Sequence, residues 1–209
     1  MSSSAAAQLR RVSLPENAGL KVASSPLAPS GERSPLVWLV GAHGGAGTST
    51  LARVLGPFGD AGQTWPAEDE QRWCVVVARS TRSGVEAAHD TVLQARAGQV
   101  GHCCVWGVIL VEDAPGKTPK SIEQRISVLE KIVPTIWRVP YIGEWRESLL
   151  DSLPEWSPLD EPQEPESTLR VIRKRRKVSA LEQVPQSVRH IGEELVERAY
   201  KAHKQTSSN

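Results

Sequence analysis

Four apolar runs, separated by amphipathic stretches, occupy the middle of the chain. They are "PLVWLV" (35–40), "WCVVVA" (73–78), "CCVWGVILV" (103–111) and "TIWRV" (135–139). Each run is continuous rather than alternating and is rich in valine or isoleucine. This pattern is typical of strands that are covered on both faces, as in a parallel sheet.

The stretches between these runs have helical periodicity. "TSTLARVLG" ends at Gly56, and "GVEAAHDTVLQARAG" carries an apolar stripe that Gly98 can close. In "TPKSIEQRISVLEKI", Thr118 can cap the helix and Pro119 suits its first turn. Strands that alternate with helices of this length predict an α/β fold with three layers and a short, mostly parallel sheet.

The flanks differ in composition from this central domain, which we place at 35–150. Residues 1–34 are rich in Ser, Ala, Pro and Gly and are predicted to be a disordered arm. An acidic, proline-rich linker is predicted at 151–184, with a basic run at 170–178. A C-terminal helix at 185–203 has an apolar stripe and is expected to pack on the domain, before a disordered tail at 204–209.

Charge, cysteine content and hydropathy exclude several classes of protein. The net charge is +1, which gives no overall attraction to nucleic acid or to a membrane. The apolar runs are too short to span a bilayer and the N-terminus lacks a secretory signal, so we expect a cytoplasmic protein with no membrane partner. Cys74, Cys103 and Cys104 lie in apolar runs without zinc spacing, which predicts reduced core residues.

The stretch "GAHGGAGTST" (41–50) lies between the first predicted strand and the first predicted helix. A phosphate-binding loop needs glycines for close backbone approach, a helix that begins at the loop, a hydroxyl for magnesium and a lysine for the outer phosphates. Gly44, Gly45 and Gly47 meet the first requirement, and Ser49 stands where the hydroxyl belongs. Thr48 occupies the place of the lysine.

The segment "HGGAGTST" resembles the deviant Walker A loop of ParA/MinD-type ATPases, whose pattern is KGGxGK[ST][ST]. His43 and Thr48 replace its two lysines. The order of later segments is also similar, so that the resemblance covers 36–150 and 185–203. It implies a P-loop-like domain in which the four strands are parallel neighbours in chain order, with the loop strand at or near the sheet edge. It further implies that ATP or another nucleotide, with magnesium, is bound by His43, Gly44, Gly45, Ala46, Gly47, Thr48, Ser49 and Thr50.

The chain departs from this family where the Walker B aspartate should be. The interval 57–73 is too short for a crossover unit and a further strand, so the Walker B element is predicted to be missing. Asp113, in "VILVEDAPG", is the candidate to imitate it and to join Ser49 at the metal. Without a phosphate lysine, fast hydrolysis is not expected, and no catalytic residue is predicted. Arg79 and Arg82 carry charge near the second strand, but no pattern places them.

The basic run has two interpretations. It is either a solvated stretch that offsets the acidic linker or a contact with the phosphates of non-specific DNA. The five residues concerned are Arg173, Lys174, Arg175, Arg176 and Lys177.

The sequence favours a weak nucleotide-binding or pseudo-ATPase module that positions or adapts partners. The resemblance implies a bacterial partition, conjugation or secretion apparatus and allows a homodimer. One alternative is an active ATPase completed by a partner subunit. The others are a DNA-binding accessory protein with an inert loop, and a plain glycine turn that binds no ligand at all.

Overall fold

A five-stranded, wholly parallel sheet lies at the centre of the computed structural model, which describes residues 19–31, 34–158 and 178–206. The strands of the chain are β1 (Lys21–Val22), β2 (Val37–Gly41), β3 (Phe58–Asp60), β4 (Thr64–Trp65), β5 (Trp73–Arg79), β6 (Cys104–Val111) and β7 (Ile136–Val139). The central sheet has the spatial order β3-β2-β5-β6-β7. A second, two-stranded sheet pairs β1 with β4.

The four long strands are parallel neighbours in chain order, which confirms the predicted arrangement of β2, β5, β6 and β7. The loop strand β2 lies one position from the edge, because the short strand β3 pairs with it. The interval 57–73 is predicted to be too short for a crossover unit together with a further strand, yet it contains the short strands β3 and β4 without a crossover helix of its own. Helix α1 (Thr48–Val54) already provides the crossover from β2, so three residues are enough to add the edge strand.

Helices cover both faces of the sheet, which gives the α/β architecture three layers. One face of the strands, including Leu39 and Val77, packs against α1 and α5 (Gln186–Thr206). The other face, including Val40 and Val76, packs against α2 (Arg82–Arg96) and α3 (Lys120–Leu129). Successive side chains of a strand point to opposite faces, and both faces are covered, which explains why these runs are apolar at nearly every position. Thr135 and Arg138, in the last run, are polar exceptions.

The starts of α2 and α3 differ in how they are capped. The Thr81 side chain accepts a hydrogen bond from the Gly84 amide at 3.0 Å, which satisfies a free N–H group at the start of α2. Helix α3 instead has Pro119 at its N-cap position and no side-chain cap. The prediction that Thr118 caps it is therefore wrong, since the Thr118 hydroxyl donates to the Glu112 carboxylate.

Residues 19–31 differ from the predicted disordered arm, because they lie against the domain. The backbone of Leu20 donates to and accepts from the Gln94 side chain, at 3.0 and 2.7 Å. Gln94 also accepts from the Trp65 indole at 3.1 Å. A buried amide that pairs with both backbone groups of Leu20 anchors this segment and aligns β1 with β4. Residues 1–18 of the predicted arm lie outside the described residues.

The predicted linker also differs in its first part. Leu153 is buried beyond a short 3₁₀ turn at Leu150–Ser152, and the Trp156 amide donates to the carbonyl of Val54 at 3.0 Å. These two apolar side chains give 151–158 enough burial to be held against α1. The remainder up to 177, including the basic run, lies outside the described part of the chain.

Helix α5 closes the face that carries α1. It buries Val188, Ile191, Leu195 and Ala199, and it extends to residue 206 rather than ending at 203. The Arg198 guanidinium donates to the Trp106 carbonyl at 2.9 Å and lies over the indole rings on this face. Among the described helices, none is both long enough and apolar enough to cross a bilayer.

Candidate functional site

A cavity of about 440 Å³ opens at the carboxyl ends of β2, β5, β6 and β7. The connections that follow parallel strands meet at this edge, where open α/β sheets characteristically bind ligands. The polar and loop residues that line the cavity are His43, Gly44, Gly45, Gly47, Thr50, Arg79, Thr81, Glu112, Asp113 and Arg146. The more apolar wall consists of Leu51, Val111, Val139, Pro140, Tyr141, Ile142 and Trp145.

The glycine loop follows β2 and leads directly into α1. Gly45 and Gly47 have φ values of 72° and 105°, a backbone region that strongly favours glycine. Gly44 and Gly45 are exposed, so the backbone of the loop is open on the cavity side. The side chain of Ala46 is buried in the core, where it anchors the loop, and it does not line the cavity.

His43 connects the loop to the end of β5. Its Nδ1 lies 2.9 Å from the Gly44 carbonyl oxygen, and its Nε2 lies 3.1 Å from the backbone amide of Arg79. A carbonyl can only accept and an amide can only donate, so Nδ1 carries the proton and the ring is neutral. Both ring nitrogens are thus used within the protein, and His43 positions the loop through them.

Arg79 is the cation that the structure brings to the loop. Its Nε donates to the Gly45 carbonyl at 3.1 Å, and the side chain lines the cavity. Arg82 has instead an exposed side chain that pairs with Glu86 on the surface of α2. The sequence alone does not indicate which of the two arginines contacts the glycine loop. Arg79 does so because β5 pairs in parallel with β2, which brings the end of β5 beside the loop.

The lysine position of the loop is occupied by a buried side chain. Thr48 is 8% exposed, and its methyl group lies beside the backbone of Gly41. Thr50 lines the cavity. The guanidinium that contacts the loop backbone belongs to Arg79, at the end of β5, and not to a residue of α1.

Ser49, the predicted metal-side hydroxyl, has a carboxylate partner that sequence reasoning missed. Its Oγ donates to Asp60 Oδ2 at 2.5 Å, and Asp60 Oδ1 accepts from the Gly62 amide at 2.8 Å. Asp60 ends β3, so the short edge strand places it beside the start of α1. The sequence feature that could have identified this partner is the aspartate in "PFGDAG", which is the first acidic residue after helix α1.

Asp113, the predicted metal partner of Ser49, lies elsewhere on the site. It lines the cavity, whereas Ser49 does not, and its strand β6 is separated from β2 by β5. Asp60 therefore occupies the place beside Ser49 that Asp113 was expected to fill. In the described ranges, no cluster of three or more His, Cys, Asp or Glu side chains is arranged to hold a metal ion.

A polar network holds the acidic side of the cavity in place. The Glu112 carboxylate accepts from the Ser80 hydroxyl at 2.7 Å and from Thr118 at 3.1 Å. Arg138 lies 3.7 Å from the same carboxylate and makes two hydrogen bonds to Glu123. The hydrogen bond from Arg138 lowers the pKa of the Glu123 carboxyl. Glu112 is thus fixed by three partners.

The formal charges that line the cavity balance. Arg79 and Arg146 contribute two cations, and Glu112 and Asp113 contribute two carboxylates. Long-range attraction of a polyanion is therefore weak, and any anion must be held by local contacts with the loop and Arg79.

Aromatic side chains form the opposite wall of the cavity. Tyr141 and Trp145 lie beyond β7, and Trp145 belongs to the short helix α4 (Gly143–Arg146). The Trp145 indole donates to the Ala180 carbonyl at 2.9 Å, and Glu144 accepts hydrogen bonds from the backbone amide of Ala180 and the hydroxyl of Ser179. The segment that begins at 178 therefore fixes the orientation of the Trp145 ring.

The basic residues Arg173 to Lys177 lie outside the described residues, so DNA contact by this run stays a prediction. A family model described as a family of unknown function (DUF6668) matches residues 35–154. That range includes every residue that lines the cavity, together with Asp60. No curated protein and no solved structure matches the chain.

Proposed function

Because the chain belongs to the family of unknown function DUF6668, we propose its function from the geometry of its own site. It binds a nucleotide in the sheet-edge cavity and does not hydrolyse it rapidly, acting as a ParA/MinD-like positioning or adaptor module. The observation that carries this proposal is one cavity with two unlike walls, a glycine loop supported by Arg79 and an aromatic wall at Tyr141 and Trp145.

The loop side suits a phosphate group. The open backbone at Gly44 and Gly45 lets an anion approach closely, and the Arg79 guanidinium supplies a charge that complements it. An arginine differs from a lysine here, because its planar donors are oriented by the hydrogen bond to Gly45. The neutral His43 ring supports this arrangement through its hydrogen bond to the Arg79 amide.

The aromatic side suits a planar base. Tyr141, Trp145 and Pro140 offer flat or apolar surfaces for stacking, and stacking on aromatic side chains tolerates any base. The volume of about 440 Å³ is within the usual range for cofactor sites, roughly 300 to 1,000 Å³. The cavity therefore suits a nucleoside phosphate, whichever base it carries.

Magnesium fits the oxygen donors beside the loop. Ser49 contributes a hydroxyl and Asp60 a carboxylate, and magnesium is commonly held by one or two carboxylates together with substrate phosphates. When bound, the ion would neutralise phosphate charge. The sequence predicts the same role for Asp113, but Asp113 lines the cavity whereas Ser49 does not. Asp60 is the better candidate because its carboxylate accepts the Ser49 hydrogen bond.

Slow turnover follows from the replaced lysine. Phosphoryl transfer depends on positioned charge, and a single catalytic arginine is worth roughly 10³ to 10⁵ in rate. Thr48 contributes no charge and is buried. Binding can persist because it relies on the loop backbone, Arg79 and the aromatic wall. An adaptor that responds to a bound nucleotide needs no rapid hydrolysis.

The proposal is tested by titrating the full chain with ATP and ADP, with and without magnesium, by calorimetry and by tryptophan fluorescence. We expect saturable binding, with a fluorescence change that Trp145→Phe removes. Trp73→Phe is the matched control, because Trp73 begins β5 at the opposite edge of the sheet. Absence of saturable binding up to millimolar nucleotide overturns the proposal.

Phosphate release measured in the same samples separates the remaining possibilities. A rate near the uncatalysed background supports a non-hydrolysing module. Rapid release by the chain alone, or on addition of a partner subunit, favours the active ATPase. DNA binding by a chain that binds no nucleotide favours the accessory protein with an inert loop.

A further inference from the structure

Asp113 lines the cavity but has no part in the proposed binding of phosphate and magnesium. Its side chain is exposed, and in the described ranges its carboxylate has no hydrogen-bond or ion-pair partner. The neighbouring Glu112 differs, because three partners already hold its carboxylate. Asp113 therefore offers two free carboxylate oxygens to a ligand in the cavity.

The register of the sheet places Asp113 beside the aromatic wall. Val111 pairs with Val139, and the Glu112 amide donates to the Val139 carbonyl at 2.9 Å, so the two chains leave the sheet side by side. Asp113 comes shortly after Val111, and Tyr141 comes equally soon after Val139. Because neighbouring strands are only about 4.8 Å apart, the carboxylate lies next to the surface on which the base is proposed to stack.

The glycine loop is farther from Asp113 across the sheet. The loop follows β2, and β5 separates β2 from β6. The end of β6 is thus two strand spacings, roughly 10 Å, from β2. This separation matters because a carboxylate at short range would repel a phosphate held by the loop and Arg79. The cavity therefore favours an anion at the loop and hydrogen-bond donors at Asp113.

The chemistry of a carboxylate restricts which base can be read at this position. An ionised carboxylate only accepts hydrogen bonds. Guanine has two adjacent donors on its Watson–Crick edge, N1–H and the 2-amino group, which match the two carboxylate oxygens. Adenine and cytosine each have one amino donor beside a ring nitrogen that accepts, and uracil has one donor between two carbonyls. Guanine is therefore the base that complements a free carboxylate best.

We propose that Asp113 selects guanine, so that the cavity binds a guanine nucleotide in preference to other nucleotides. This inference rests on the proposed nucleotide-binding function and adds the identity of the base. The base stacks on the wall that includes Tyr141 and Trp145, and its N1–H and 2-amino group donate to the Asp113 carboxylate. The phosphates extend from there to the glycine loop and Arg79.

The expected preference follows from the hydrogen bonds at the edge of the base, since stacking accepts every base. A bidentate pairing between a side chain and a base discriminates against the wrong base by roughly 5- to 150-fold. Asp113 is exposed, and water competes for the same hydrogen bonds, so the lower end of this range applies. GTP should therefore bind about fivefold more tightly than ATP.

The experiment measures the Kd of GTP, ITP, ATP and XTP for the native full chain by calorimetry at constant magnesium. Inosine lacks the 2-amino group of guanosine, and xanthosine carries a carbonyl in its place. We expect the affinity to fall from GTP to ITP to ATP. In Asp113→Asn the preference for GTP over ATP should disappear. XTP should gain roughly fivefold relative to GTP, because the asparagine amide can donate to the 2-carbonyl of xanthine.

Asp69→Asn is the matched control. Asp69 is exposed and precedes β5, whose start lies at the edge of the sheet opposite the cavity. This variant should keep the native preference for GTP. Ratios of Kd values are compared, because the loss of a negative charge near the phosphates strengthens the binding of every triphosphate alike.

Three outcomes would contradict the inference in different ways. Equal Kd values for GTP and ATP in the native chain, with both nucleotides bound, overturn guanine selection and leave the proposed nucleotide site standing. A preference for GTP that survives in Asp113→Asn overturns the role of Asp113. Absence of saturable binding by any of the four nucleotides overturns this inference together with the proposed function.

Discussion

Replacement of Arg79 by glutamine probes the proposed phosphate contact most directly. Glutamine keeps a polar side chain of moderate length but removes the charge and the Nε donor that lies 3.1 Å from the Gly45 carbonyl. The variant therefore loses both the cation beside the loop and the hydrogen bond that holds it there. Its effect on nucleotide affinity measures how much of the binding energy depends on this residue.

The expected magnitude follows from the partial exposure of Arg79. A hydrogen bond to a charged group is worth roughly 1.5 to 3 kcal/mol, and a fully exposed ion pair less than about 1 kcal/mol. Arg79 is half-buried, so we take the lower end of the first range, about 1.5 kcal/mol. Since 1.4 kcal/mol corresponds to a factor of ten, the Kd for ATP should rise about tenfold.

Isothermal titration of ATP into the native chain and three variants provides the assay. Arg79→Lys keeps the charge but loses the planar donors, and it should weaken binding by a few-fold only. Arg82→Gln removes an equal charge three residues away, on the exposed surface of α2, and should leave the Kd unchanged. Thermal unfolding of each variant identifies any loss of affinity that comes from misfolding.

Two results would refute this reasoning. An unchanged Kd for Arg79→Gln, in a protein of unchanged melting temperature, would mean that the guanidinium supports the loop without contacting a phosphate. Equal losses in Arg79→Gln and Arg82→Gln would mean that net charge, and not the geometry of the cavity, controls binding.

Four further outcomes are expected. Thr48→Lys should tighten ATP binding about tenfold in the same titration, because one charge-assisted contact is worth at least about 1.5 kcal/mol, while phosphate release rises little. Replacing the five basic residues at 173–177 by glutamine should abolish DNA binding, whose salt dependence in the native chain should indicate about four to six phosphate contacts, and should change stability by less than about 0.5 kcal/mol. Leu195→Ala should lower the free energy of unfolding in urea by about 2 to 5 kcal/mol, since Leu195 is fully buried where α5 meets the sheet. Glu123→Gln should cost less than about 1 kcal/mol at neutral pH, because the ion pair with Arg138 is partly exposed. The pKa of Glu123 is lowered in the folded native chain, so the stability that Glu123 contributes is present above the ordinary carboxyl pKa and is lost as the pH falls through the folded-state pKa. Urea unfolding from pH 7 to pH 2 should therefore show the stabilities of the native chain and Glu123→Gln converge in acid.

The central architecture was predictable because it depends on patterns that local sequence records. A strand buried on both faces needs a continuous apolar run, and this requirement identified β2, β5, β6 and β7. Helical periodicity likewise identified α2, α3 and α5. The order of the strands came from the family resemblance, and the structure confirms it. The glycine loop was recognisable because a tight strand-to-helix connection demands residues that tolerate positive φ.

The tertiary structure was needed for every feature that depends on the approach of distant side chains. A three-residue strand carries too little pattern to be seen, so β3 and the Ser49–Asp60 contact were missed. Register decides that Arg79, and not Arg82, reaches the loop. Composition predicted that 19–31 is disordered, but this segment packs on the domain because the buried side-chain amide of Gln94 hydrogen-bonds to the backbone of Leu20. Local sequence encodes how each segment buries its own surface, whereas these contacts depend on where another segment lies after folding.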